Sequence, residues 1–258
     1  GVQSNIVLGT IESLNNITRE KFLKYFDEQY VASNIVVSVA GKIEFDHVVA
    51  ELNKSLGKFR DSNFKREMDA SFTINHGENR IKRETNQVHL CFNTRGNSQI
   101  EDMKYPGAII SSVLAGNMSS RLFQKIREER GLAYSVYSYG TAFIEGGLFT
   151  IYAGTTKESY QEVIDIIKDE FEDIKKNGIT PYELQKSKNQ FLSMLTFSLE
   201  NSKGKMTRMA STYMLYGRVT EIDEIISKIE NITLEDIKKT AEYLFQEEFY
   251  SCTILGDI

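Results

Sequence analysis

Cysteine, histidine and long apolar runs are all scarce in these 258 residues, and each scarcity closes off a class of protein. Two cysteines, Cys91 and Cys252, cannot build the disulfide framework of a small secreted domain. Each lies in an apolar, strand-like run, which reads as a buried thiol in a reducing compartment, and a cytoplasmic setting is expected. The three histidines, His47, His76 and His89, have no second His or Cys at ligand spacing. A stable zinc site needs three or four converging donors, so no metal site is expected within this chain. No apolar run approaches the ~18 residues of a membrane span, and the opening GVQSNIVLGT lacks a basic segment followed by an apolar one. Positive charge is not in excess either: 31 basic against 36 acidic side chains leave a net charge of −5, which sets aside nucleic acid and anionic membranes as partners. There is no G-x-x-x-x-G-K-[ST] phosphate loop, and Ser119-Ser120 has no partner histidine, so neither a kinase nor a serine hydrolase is indicated.

What the chain does have is a large apolar share, 41%, enough to build a real core in one large domain or two ordinary ones. It also has an internal repeat. Asn16-Ile17-Thr18 returns as Asn231-Ile232-Thr233 at an offset of 215 residues. Each Thr is placed to cap a helix, with its hydroxyl on a free N–H of the first turn. Phe22, Phe26 and Tyr30 in one copy and Ile237, Ala241 and Phe245 in the other then fall at helical spacing. A short apolar strand follows in both, ending in Gly41 and Gly256.

The second copy has a long α+β stretch ahead of it and the first has almost none. Residues 1–60 are therefore expected to be the tail of one domain, 61–74 a polar linker and 75–258 a complete second domain. The expected fold is α+β in two layers, an antiparallel or mixed sheet with helices on one face, comprising one complete repeat plus the tail of a preceding homologous one.

Within the second domain, Val88, Leu90 and Phe92 alternate with His89 and Cys91 as a half-buried strand does. A helix is predicted over 106–114, then a Gly116-Asn117 break, then a second helix from about Ser119 to Arg130 with Ser119 or Ser120 as cap and Gly131 as stop. Residues 132–143 and 146–155 read as an antiparallel pair around Glu145-Gly146-Gly147. A long amphipathic helix spans 157–176 with Val163, Ile166, Ile167, Phe171 and Ile174 inward, and Thr180-Pro181 opens the next. In the first segment Phe45, Val48, Val49, Leu52 and Leu56 make a helical stripe, with His47 outside it.

The run SSRLFQKIREERGLAYSVYS resembles the second homologous domain of the insulinase/pitrilysin family of zinc peptidases, in the style of bacterial relatives of mitochondrial processing peptidase. LGTIES, YVASNIVVSVAG, GLFTIYAGTTKE and NGITPYELQKSKNQ extend the resemblance along nearly the whole chain. It implies a clamshell of two similar halves, with zinc held in the first half by an inverted His-x-x-Glu-His motif that this chain lacks. The implied cofactor is thus zinc bound in the full-length protein outside these residues. The implied partners are a peptide or unfolded polypeptide, the zinc-bearing amino-terminal half, and a homo- or heterodimer mate. By residue type alone Arg127 is a helix-end cation and Tyr134 a strand aromatic. The resemblance turns both into cleft residues that contact substrate and oxyanion, and leaves Arg121 and Arg130 structural or solvated. It implies a zinc metalloendopeptidase when whole and an inactive fragment alone; the alternative is a metal-free peptide-binding subunit paired with an active mate.

Overall fold

The computed structural model describes residues 5–60 and 72–258. The expected linker, 61–74, lies almost wholly outside them. The described residues divide into two compact units: residues 72–194 with 221–258, and residues 5–60 with 195–220.

The larger unit is built on a five-stranded mixed sheet. Its strands are β1 (Gly77–Lys82), β2 (Val88–Gly96), β3 (Ala133–Ala142), β4 (Gly147–Thr155) and β5 (Ser251–Gly256), in spatial order β1-β5-β2-β4-β3. β1 runs parallel to β5, and every other neighbour is antiparallel. Side-chain alternation sorts β2 into two faces: Val88, Leu90, Phe92 and Thr94 are buried, while His89, Cys91, Asn93 and Arg95 are half-buried.

Helices α4 (Lys104–Ala115), α5 (Tyr160–Asn177) and α9 (Leu234–Leu244), the last preceded by α8 (Ile222–Glu230), supply the apolar layer against the buried face. The inward positions of α5, namely Val163, Ile166, Ile167, Phe171 and Ile174, recur every three or four residues and are all buried. Phe171 stacks on Phe245 of the α9 C-cap with ring centres 4.0 Å apart, and Phe92, Phe149 and Tyr250 meet that pair edge-on. The architecture is α+β, a mixed sheet with helices on one face.

The smaller unit contains α1 (Ile11–Asn15), α2 (Arg19–Gln29), α3 (Phe45–Leu56) and α7 (Ser202–Tyr216), the last capped by the Asn201 side chain and ended by left-handed Gly217. None of these helices has a fully buried residue. The apolar stripe of α3 lines a cavity of about 570 Å³ with Val37, Val39, Met209 and Tyr213.

The repeat holds at the level of atoms. Thr18 (φ −97°, ψ 162°) and Thr233 (φ −105°, ψ 166°) each accept an amide N–H three residues on, from Lys21 and Asp236. Their helices end at Tyr30 and Phe245, whose amides donate to Phe26 and Ala241. Matching 3₁₀ turns, Ala32–Asn34 and Glu247–Phe249, come next. The copies part in what covers them. Ile237, Ala241 and Phe245 are wholly buried, whereas Phe22, Phe26 and Tyr30 are 58, 40 and 51% exposed. β5 lies between two strands, while residues 36–40 join no ladder among the described residues.

Candidate functional site

The segment between α4 and β3 brings the two sequence-predicted site residues together. Arg121 and Leu122 begin a helix that widens into a π-helical turn, Phe123–Glu128. The wide turn is closed by the amide of Glu129 donating five residues back to Gln124. Phe123 and Ile126 face the core. Gly131, at φ +63°, reverses the chain: its amide donates to Arg127 and that of Leu132 donates six residues back to Ile126, which ends the helix. The left-handed angle is one that a side-chain-bearing residue rarely adopts.

This tight reversal sets Tyr134, the second residue of β3, beside Arg127. The Arg127 guanidinium carbon lies 5.1 Å from the Tyr134 ring centre and 4.9 Å from that of Phe123. Arg127 also stands 3.8 Å from the carboxylate of its neighbour Glu128. Tyr134 is 74% exposed, whereas its strand neighbours Ala133 and Val136 are buried in the core. A fork of N–H donors and one phenolic O–H thus sit on adjoining supports, able to donate to carbonyl or anionic oxygen.

The expected serine cap does not form. Ser119 gives both its N–H and its hydroxyl to the Asn117 side-chain oxygen, and the Ser120 hydroxyl turns back to the Asn117 carbonyl. Asn117 organises this turn, using the local hydrogen bonding at which short polar side chains excel.

Arg121, read from sequence as structural or solvated, is the most heavily bonded cation of the region. Its Nε and Nη2 donate in parallel to the two oxygens of Glu183, at 2.6 and 2.8 Å, and Nη1 donates to Asp173 at 2.8 Å. Nη1 also lies 3.5 Å from Glu170, a carboxylate only 1% exposed that takes the ammonium of Lys125 on its other oxygen. Burial by itself raises the Glu183 carboxyl. Hydrogen bonds from Arg121 and the Thr180 amide outweigh it and bring the group down to about 2. Glu183 closes the capping box of α6 (Pro181–Ser198), exchanging bonds with Thr180. Sequence reasoning missed this network, since its partners lie 49–62 residues from Arg121; the one local signal was the Thr180-x-x-Glu183 spacing. Arg130 pairs with Glu162 at 2.9 Å on the surface.

The opposite sheet face carries His89, whose Nδ1 is 2.7 Å from the Tyr152 hydroxyl, and Tyr137 stacked on Tyr152 at 4.7 Å. Zinc does not fit the donors present. His47 is exposed on α3, His76 precedes β1, His89 is engaged by Tyr152, and among the described residues no group of three or more His, Cys, Asp or Glu could hold a metal ion.

Residues 16–191 match the family model described as the peptidase M16 inactive domain. The chain belongs to the peptidase M16 family. This M16 chain is 34% identical over 243 residues to a Bacillus subtilis protein named uncharacterized zinc protease YmxG, covering 94% of its own length and 59% of the relative's. It is 28% identical over 245 residues to a Streptomyces coelicolor protein named uncharacterized zinc protease SCO5738, covering 91% of its own length and 53% of the relative's. A crystal structure of a peptidase M16 inactive domain from Pseudomonas fluorescens shares its fold with a TM-score of 0.84 at 20% identity, covering 97% of this chain and 60% of that one. The chain therefore spans little more than half of the curated relatives it matches.

Proposed function

We propose that this chain is the zinc-free wall of a peptidase cleft: in the whole protein an amino-terminal half carries the metal, and Arg127 with Tyr134 hold the peptide and the oxyanion that forms as it is cleaved. The observation that carries the reading is the pairing of an Arg fork with an exposed Tyr hydroxyl across a glycine-reversed helix end, in a chain whose relatives bear the name zinc protease. Amide hydrolysis places negative charge on the former carbonyl oxygen. A preorganised donor aimed at that charge is worth on the order of 3 kcal/mol. No step through the metal is assigned to these residues, because none of them is a ligand.

The same reading makes residues 1–60 the closing elements of the zinc-bearing domain, 61–74 the connection and 75–258 the second domain. The exposed apolar stripe of α2 supports it, since the equivalent stripe of α9 is buried by a complete domain. The substrate is a peptide or unfolded segment, and the amino-terminal half is the obligatory partner. Two free thiols, Cys91 and Cys252, suit a cytoplasmic setting.

The test is hydrolysis of a quenched fluorescent peptide library by the full-length protein. Cleavage that a zinc chelator abolishes and that the 258-residue chain alone lacks supports the proposal; cleavage by this chain alone sinks it. The second reading, a metal-free subunit that binds peptides for an active mate, rests on the match to a domain described as inactive. Peptide binding without cleavage by the full-length protein would favour it.

A further inference from the structure

Arg127 and Tyr134 are held by opposite ends of one short segment, and the end that begins it is unusually well anchored. Arg121 starts the helix whose last turn carries Arg127. Its guanidinium is shared among Glu183 at the start of α6, Asp173 in the last turns of α5, and the buried Glu170 one turn earlier. Lys125, one turn beyond Arg121 and inside the π-helical turn, reaches the same Glu170 carboxylate. Two cations four residues apart thus clamp one face of the helix to a carboxylate that is itself buried on α5.

That clamp has a structural task. A π-helical turn takes an extra residue per hydrogen-bonded ring and is uncommon because a regular α-helix competes with it. Reverting to α-helical winding would rotate Arg127 about the axis and separate it from the Tyr134 ring. A bonded guanidinium at the start and the left-handed Gly131 at the end bracket the wider winding. Arg121 makes no contact that would let it act on a substrate: its side chain is 18% exposed, and its donors go to the Glu183 and Asp173 carboxylates and the Gly178 carbonyl, with Glu170 beside it as an ion pair.

We infer that Arg121 is a positioning residue: through its carboxylate cage of Glu170, Asp173 and Glu183 it holds the π-helical turn in the winding that sets Arg127 against Tyr134. Arg121→Lys keeps the charge and loses the parallel pair of bonds to Glu183. The inference rests on the peptidase reading for its catalytic consequence and on geometry alone for the rest.

The experiment uses the full-length protein with a fluorinated tyrosine at position 134, observed by fluorine NMR, together with steady-state kinetics on a cleaved peptide. Arg121→Lys is expected to shift and broaden the fluorine resonance and to lower kcat roughly tenfold with little change in KM. In an Arg127→Ala background the same substitution should lower kcat no further, because the group it positions is gone. Glu183→Gln, which keeps the side-chain shape and carries the test if Arg121→Lys does not fold, should shift the resonance in the same direction by less. A fluorine resonance unmoved by either variant overturns the inference. So does a kcat loss that multiplies in full onto Arg127→Ala, as a general structural defect would. Unchanged turnover in Arg127→Ala and Tyr134→Phe would instead reject the peptidase reading, and the fluorine signal would still decide whether Arg121 positions Tyr134.

Discussion

Arg127 and Tyr134 lie seven residues apart in sequence and meet with the guanidinium 5.1 Å from the ring centre, because Gly131 between them turns a helix into a strand. Arg127 thereby lies against one face of the Tyr134 ring while the exposed side chain keeps its hydroxyl available. Tyr134→Phe removes a donor and almost nothing else. In the full-length protein it should lower kcat by roughly ten- to a thousandfold with the melting temperature unchanged, as an oxyanion donor would. Steady-state rates alongside a thermal melt check this, and unchanged turnover removes Tyr134 from the mechanism.

Glu183 makes the stability of α6 dependent on acid. Its carboxyl titrates at about 2 in the folded protein, well below the ordinary carboxylate range. A lowered value means that the stabilisation is complete above about pH 4.5 and fades as pH falls toward 2; because the pair is partly open to water, screening holds it to about 1–2 kcal/mol in all. Urea denaturation of wild type and Glu183→Gln should therefore differ at pH 7 and converge near pH 2. A gap that stays constant across that range would show that the ion pair contributes nothing.

The two threonine caps form a matched pair within one molecule. Each hydroxyl accepts one N–H in a nearly identical backbone, so Thr18→Ala and Thr233→Ala both delete that cap bond, along with the hydroxyl's own bond to Glu20 or Asp236. Each should cost about 1 kcal/mol of local helix stability. Thr233→Ala should lower the denaturation midpoint of the larger unit. Thr18→Ala should register as faster amide exchange in α2, measurable by mass spectrometry.

Phe245 and Phe22 occupy comparable helical stripes with opposite surroundings. Phe245 is wholly buried and stacked on Phe171, so Phe245→Ala should cost about 3–5 kcal/mol through lost burial and an unfilled cavity. Phe22 is 58% exposed, and Phe22→Ala in this chain should cost under about 0.5 kcal/mol. Denaturant titration of the two variants separates them.

Much of the sheet unit was legible because its periodicities are strong: the alternation of Val88, Leu90 and Phe92 and the stripe from Val163 to Ile174 each admit one burial pattern. The caps at Thr18, Thr180 and Thr233 were readable for the same reason, since capping is local chemistry. Three features escaped. The π-helical winding at 123–128 leaves no residue signature, the Asn117 turn competed successfully with the expected serine cap, and the carboxylates around Arg121 converge only when α5 and α6 are folded beside it. The grouping of residues 195–220 with the opening segment was equally out of reach, because nothing in a helix's own sequence says which unit it will join.

The wet stripe of α2 has a calorimetric consequence. Heat capacity rises on unfolding mainly because apolar surface newly meets water. Phe22, Phe26, Tyr30 and the run from Val36 to Val39 already meet it in the folded chain, so their unfolding adds little to that increment. Scanning calorimetry on these 258 residues should return the increment of a shorter protein, and whatever partner dries that stripe should restore the difference.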